Sequence, residues 1–323
     1  MRTVLVTGVG AIVGYGAVRS LRKSRSDVRV VGMDIYPDAV GQVWCDAFEA
    51  AVPAADPGYV DFMIDLIGRH RVDLVIPAIE QDAMRLSIER HRFETTGARL
   101  ALNDSALIMT AHDKWAMHNR LRDAGVPAIP SAIEGAFSNL ASRFGLPFIV
   151  KPRRSYASKG LVRVETEEDC RYWRSRLGDE FMAQQLVGDD RGEYTVGAFG
   201  LGDGAVTGKT VLRRMLARDG STAKAWVCEI PELDAAVDAL ATLFRPVGPT
   251  NFQFRRHGGA YLLLEINPRL SSSTSLRAAF GRDDAAMCVE YFLDGRVPAP
   301  RPLRSGFAVR YIEDVITYDR DHF

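Results

Sequence analysis

Apolar residues along this chain fall into short runs that alternate with helical patterns. Thr3–Thr7 is a compact apolar strand, and the turn Gly8-Val9-Gly10-Ala11-Ile12-Val13-Gly14 leads into a helical pattern reaching about Lys23. The next strand, Val28–Gly32, runs up to Asp34; helices over about Gly58–His70 and Gln81–Phe93 then feed strands Asp73–Pro77 and Arg99–Ala101. Strands and helices in strict alternation predict a parallel, doubly wound sheet.

After Asn103–Thr110, read as a junction between domains, the pattern changes. Asp113 is placed to cap a helix that opens at Lys114 and stops at Ala124-Gly125-Val126-Pro127. An apolar strand, Gly145–Val150, ends in Lys151-Pro152, and the basic loop Arg153–Gly160 joins it to a strand at Leu161–Val164. Helix Glu167–Leu177, strands Glu180–Val187, Tyr194–Phe199 and Val206–Arg213, and helix Pro231–Leu243 follow. Two apolar runs, Asn251–Phe254 and Tyr261–Ile266, then flank Gly258-Gly259 and predict a hairpin, and helix Asp284–Leu293 precedes a short tail.

The hairpin carries the chemistry. Gln253 lies between two phenylalanines, while Glu265 and Asn267 end a run of leucines. Residues directly opposite in an antiparallel pair share a face, as do alternate residues of one strand. A three-residue loop, Gly258-Gly259-Ala260, sets Gln253 opposite Glu265, whereas a two-residue loop turns Glu265 to the other face. One carboxylate and two amide oxygens on one face are hard ligands of the kind Mg²⁺ accepts. The competing reading is a polar-faced edge hairpin.

Composition narrows the picture without deciding it. The 323 residues allow two or three domains, and 41 basic residues balance 41 acidic ones, so no global field points to nucleic acid or a membrane surface. Any anion site is therefore local. Cys45, Cys170, Cys228 and Cys288 are widely spaced, which argues against zinc and against a disulfide framework and favours reduced thiols in a cytoplasmic protein. No stretch approaches the roughly 20 apolar residues of a membrane span.

Asn-x-Gln followed by Leu-Leu-Glu-Ile-Asn-Pro-Arg at 251–269 resembles the metal-binding end of the ATP-grasp superfamily, and within it the large chain of carbamoyl-phosphate synthetase. The resemblance covers roughly residues 1–300. It implies a fold of class α/β and α+β: an N-terminal Rossmann-like parallel-sheet domain (1–110), a two-lobed ATP-grasp domain (111–300, with a lid subdomain at about 113–187) and a C-terminal tail (301–323).

The resemblance also implies roles. Gln253, Glu265 and Asn267 would hold two Mg²⁺ ions, with Mn²⁺ as a substitute, against the phosphates of ATP. Arg269 would steady the transferring phosphoryl group, Lys151 would meet the α-phosphate and Lys114 would add a cation. The loop 153–160, with Ser158 and Lys159, would be the phosphate lid, although family loops carry several glycines and this one has only Gly160. Gln184, Gln185, Leu186 and Val187 would form the adenine hinge, with Gln184 where relatives usually have Glu and its amide oxygen able to accept from the adenine amino group. Glu193 would bind the ribose hydroxyls.

The activity so implied is an ATP-dependent ligase that converts a carboxylate to an acyl phosphate for attack by an amine, releasing ADP and phosphate. Expected partners are a small-molecule carboxylate and amine, neither nucleic acid nor membrane, with a homodimer as one assembly open to it. Lys209, Arg213, Arg214 and Lys224 form a basic stretch suited to the acceptor carboxylate or a phosphate, and Glu80 and Asp82 to either a substrate or a helix N-terminus. Two rivals are a carboxylate kinase with the same residues and a dinucleotide-dependent oxidoreductase. The second rests on Gly8–Gly14 and on Asp34, twenty residues beyond Gly14.

Overall fold

The computed structural model of the chain describes residues 1–155, 160–188, 192–217, 220–299 and 301–316. Five strands, β1 (Arg2–Thr7), β2 (Val28–Asp34), β3 (Ala47–Ala50), β4 (Leu74–Ile76) and β5 (Arg99–Leu100), make a parallel sheet in the order β3-β2-β1-β4-β5. Helices α1 (Ile12–Ser24), α2 (Tyr59–His70) and α3 (Glu80–Ile88) connect successive strands. Both faces are covered, as parallel sheets require. Val4, Val6, Val30 and Ile76 pack with α1 on one side, and Leu5, Val31 and Val75 pack with Tyr59, Met63 and Leu66 of α2 on the other.

The glycine turn after β1 is set by close approach. A Cβ on Gly14 would lie 2.1 Å from the Gly8 carbonyl oxygen, so α1 can start this near β1 only with glycine there. Asp34 at the end of β2 turns back on the same turn: its Oδ2 accepts from the Gly10 N–H at 2.7 Å and its Oδ1 from the Tyr36 N–H at 3.1 Å. Its carboxylate thus holds the chain's own backbone.

Helices α4 (Ser105–His112) and α5 (Lys114–Asp123) bridge to the second sheet, and Asp113 caps α5 by accepting from the Trp115 and Ala116 N–H groups. That sheet has four strands, β6 (Ser131–Ala132), β7 (Phe148–Pro152), β8 (Val162–Val164) and β9 (Phe181–Gln184), in the order β6-β9-β7-β8. α6 (Phe137–Phe144) and α7 (Glu167–Leu177) pack on it through Leu140, Phe144 and Cys170. The strand expected over Glu180–Val187 is shorter than its apolar pattern suggests, with Gln185, Leu186 and Val187 outside it.

The third sheet is antiparallel, in the order β14-β13-β10-β11-β12-β15: β10 (Glu193–Leu201), β11 (Val206–Leu216), β12 (Thr222–Cys228), β13 (Val247–His257), β14 (Ala260–Asn267) and β15 (Phe307–Val309). α8 (Pro231–Phe244) covers one face through Leu233, Val237 and Leu240. The short helices α9 (Thr274–Ala279) and α10 (Asp284–Cys288) follow β14. Residues expected only as a tail therefore supply an edge strand, β15, paired with β12. No described helix is long and apolar enough to cross a membrane.

The hairpin reaches the expected pairing by an unexpected route. Its loop has two residues, Gly258 and Gly259, with His257 opposite Ala260. Left regular, that register would turn Glu265 away from Gln253. A β-bulge corrects it: Phe254 pairs with Leu263 and Gln253 with Glu265, leaving Leu264 as the extra residue. Asn251 pairs with Asn267 beyond it.

Candidate functional site

A cavity of about 660 Å³ opens where the three sheets meet. β7 brings Lys151 to its floor, α5 brings Lys114, β14 and the chain after it bring Glu265, Asn267 and Arg269, and the start of α3 brings Glu80.

Lys151 is 8% exposed, and its Nζ donates to Gln184 Oε1 at 2.7 Å. Burial, aided by the neighbouring Lys114 and opposed by Glu265, pushes the ammonium down to about 8. Lys114 Nζ donates to the Ser155 carbonyl at 2.6 Å and to its Oγ at 3.1 Å. Burial lowers its pKa too, against the pull of Glu265 and Glu80. Arg153 pairs with Asp113 at 2.6 Å, so the start of α5 is tied to the chain leaving β7. Ser158 and Lys159 lie outside the described residues.

Gln184 gives its amide nitrogen to Ser131 Oγ at 2.9 Å while Lys151 takes its oxygen. That oxygen seats the lysine and keeps a second lone pair toward the cavity, which Gln184 lines. Gln185, Leu186 and Val187 line the cavity beside it, with the Gln185 N–H donating to the Pro130 carbonyl at 3.0 Å.

Glu193 is buried between two guanidinium groups, Arg214 at 2.7 Å on Oε1 and Arg255 at 3.1 Å on Oε2. Arg214 Nη2 also donates to Gln253 Oε1 at 2.5 Å. Asn267 Nδ2 donates to Glu265 Oε1 at 3.0 Å, and its Oδ1 accepts from Arg269 Nη2 at 3.2 Å. Arg269 Nη2 further donates to Glu80 Oε2 at 2.9 Å. Glu265 and Asn267 fit a hard divalent cation in charge and donor type. Gln253 differs from Asn267 in how tightly a guanidinium holds its oxygen, at 2.5 Å by the buried Arg214 as against 3.2 Å by the more exposed Arg269.

A family model described as "ATP-grasp in the biosynthetic pathway with Ter operon" matches residues 189–315, and one described as "PylC-like, N-terminal domain" matches residues 4–101. Residues 189–315 thus match an ATP-grasp family. Formate-dependent phosphoribosylglycinamide formyltransferase of Chlorobaculum tepidum is 27% identical over 183 residues, 55% of this chain and 44% of that protein. The same-named protein of Marinobacter nauticus is 28% identical over 180 residues, covering 53% and 42%. The chain thus matches less than half the length of these curated relatives.

Solved structures extend the fold match. N5-carboxyaminoimidazole synthetase from Staphylococcus aureus superposes with a TM-score of 0.69 at 18% identity over 89% of this chain and 77% of that one. The biotin carboxylase domain of 2-oxoglutarate carboxylase from Hydrogenobacter thermophilus gives 0.75 at 14% over 95% and 73%; that structure is a dimer with MgADP, ADP and bicarbonate. These likenesses show that the parallel sheet and the antiparallel sheet belong to one architecture shared with those structures.

Within that architecture the basic stretch from Lys209 to Lys224 divides. Of Lys209, Arg213, Arg214 and Lys224, the cations of that stretch among the described residues, only Arg214 lines the cavity, since strand alternation sends Arg213 to the opposite face, and Lys209 pairs with Asp238 of α8 at 2.8 Å. Asp82 is buried under Tyr59, whose hydroxyl donates to it at 2.9 Å, and does not line the cavity, whereas Glu80 does. Arg255 and His112, which carry no local motif, line it as well. The alternation of β13, which sets Arg255 two residues beyond Gln253, was the signal available for Arg255.

Proposed function

We propose that this chain is an ATP-dependent, ADP-forming ligase that activates a small-molecule carboxylate as an acyl phosphate and joins it to an amine. The carboxylate oxygen attacks the γ-phosphorus and ADP leaves; the amine nitrogen then attacks the carbonyl carbon, phosphate leaves, and the nitrogen sheds a proton. The observation that carries this reading is the convergence of Lys114, Lys151, Glu265 and Arg269 from separate elements on one cavity.

Each residue has a part in it. Lys151 and Lys114, dried by burial, would meet the nucleotide phosphates with charge that water does not screen. Gln184, Gln185, Leu186 and Val187 would face the adenine, and Glu193, its charge shared between Arg214 and Arg255, would meet the ribose. Arg269, held by Glu80, would steady the acyl phosphate. Glu265 and Asn267 would hold Mg²⁺, or Mn²⁺ in its place, and the bound metal supplies charge neutralisation between the phosphates.

In this reading residues 1–110 form one wall of the substrate site, residues 111–300 hold the nucleotide under a lid subdomain at about 113–187, and residues 301–323 follow as a tail. A homodimer is the assembly we assign to it, in line with the dimeric biotin carboxylase domain.

The test is an ADP-release screen of the chain against pooled carboxylates and amines, with mass detection of product. Amide product with stoichiometric ADP supports the ligase. ADP with phosphorylated carboxylate and no amide makes it a kinase, and no Mg²⁺-dependent nucleotide binding removes both.

A further inference from the structure

The metal set implied by the family is incomplete in this chain as it stands. One of its two neutral members, Gln253, presents the oxygen to Arg214 Nη2 at 2.5 Å, and the same nitrogen lies 2.7 Å from Glu193 Oε1. Arg214 is 4% exposed, and its Nε finds no partner among the described residues. A Mg²⁺ ion bonds oxygen at about 2.0–2.1 Å. On this oxygen it would sit against a guanidinium with only a neutral amide between them, and the repulsion of two such close cations is large in a dry site.

Charge points the same way. Lys114, Lys151, Arg163, Arg214, Arg255 and Arg269 line the cavity against Glu80, Glu193 and Glu265, a surplus of three positive charges among the described residues. ATP with one Mg²⁺ carries about two negative charges, and a substrate carboxylate adds a third. One ion balances the site; a second would leave it two charges in excess. Glu193 cannot absorb the difference, because Arg255 already draws on its other oxygen at 3.1 Å.

We propose that Arg214 takes the place of one of the two metal ions: the chain binds its nucleotide with a single divalent cation at Glu265 and Asn267, and the Arg214 guanidinium, oriented by Glu193 and Gln253, carries the remaining charge on the transferring phosphoryl group. Gln253 is then a positioning residue for Arg214. The inference rests on the ATP-dependent reading above. It assigns a catalytic residue and a metal count to that site.

The experiment counts Mn²⁺ bound to the full chain in the presence of a non-hydrolysable ATP analogue, by equilibrium dialysis and by electron paramagnetic resonance. The expected result is one Mn²⁺ per bound nucleotide, with the spectrum of an isolated ion. Two ions per nucleotide with the signature of a coupled pair overturn the proposal while leaving the ATP reading intact. If the native chain binds neither analogue nor Mn²⁺-analogue, the ATP reading itself fails, and this proposal with it. Arg214→Gln adds a second readout: single-turnover phosphoryl transfer should fall at least about 10²-fold, with analogue affinity changing less than about tenfold and with partial rescue by added guanidinium. A native transfer rate in that variant also overturns the assignment.

Discussion

Lys151 and Gln184 satisfy each other across β7 and β9, Nζ to Oε1 at 2.7 Å, so the free protein holds its buried lysine on a neutral amide and not on a carboxylate. A lysine so placed is cheap to deprotonate, and burial brings it to about 8 from an ordinary 10.5. Affinity for an ATP analogue should be level below about pH 8 and weaken above it by up to about tenfold per pH unit. Stability should move the opposite way. A lysine depressed in the folded state imposes its full cost below about 8, and that cost is relieved as pH rises from about 8 toward 10.5. Calorimetric titration and melting of the native chain and of Lys151→Ala check both signs, since the variant should bind weakly at every pH and lose the break near 8.

Glu265→Gln keeps the shape of the hairpin site and removes its one carboxylate. Turnover measured by ADP release should fall at least about 10²-fold. In the free protein Glu265 also offsets the burial of Lys114 and Lys151, so the variant should melt slightly lower near pH 7, with the gap narrowing as pH rises through about 8 and Lys151 loses its charge. Native turnover in this variant would count against the metal site.

Asp34→Ala tests the dinucleotide rival. Its carboxylate accepts from the Gly10 and Tyr36 N–H groups, so removal should cost about 1–3 kcal/mol of stability through donors left unpaired. Turnover at a temperature where the variant is folded should stay within about twofold of native. NAD should shift the melting temperature of neither protein; a shift in the native chain that Asp34→Ala abolishes would restore the oxidoreductase.

Arg277 is 1% exposed and bidentate to Asp284, while its Nη1 donates to the Gly197 carbonyl at 2.6 Å. Any side chain at Gly197 would collide with it, a Cβ lying 2.4 Å from the guanidinium carbon. Asp284→Ala should therefore cost about 3–5 kcal/mol in denaturant unfolding, the price of a buried unpaired guanidinium. A loss below about 1 kcal/mol would show that water reaches the pair.

What the sequence by itself determined is local. Short continuous apolar runs alternating with helical patterns specify the parallel sheet, because each element's burial is written in a dozen neighbouring residues. Asp113 capping α5 and the convergence of Glu265 with Asn267 are equally short-range, and the family motif at 251–269 brought the ATP-grasp fold with it. The pairing of Gln253 with Glu265 was legible, but the bulge at Leu264 that secures it was not, since a two-residue and a three-residue glycine turn read alike. Only the tertiary structure could show that Arg214 claims Gln253 from 39 residues away, that Glu80 holds Arg269 across 189, and that Gln184 seats Lys151. Those partners are chosen by burial: a charge taken out of water must find its counterpart wherever the fold brings one near, and nothing in the spacing along the chain records where that is.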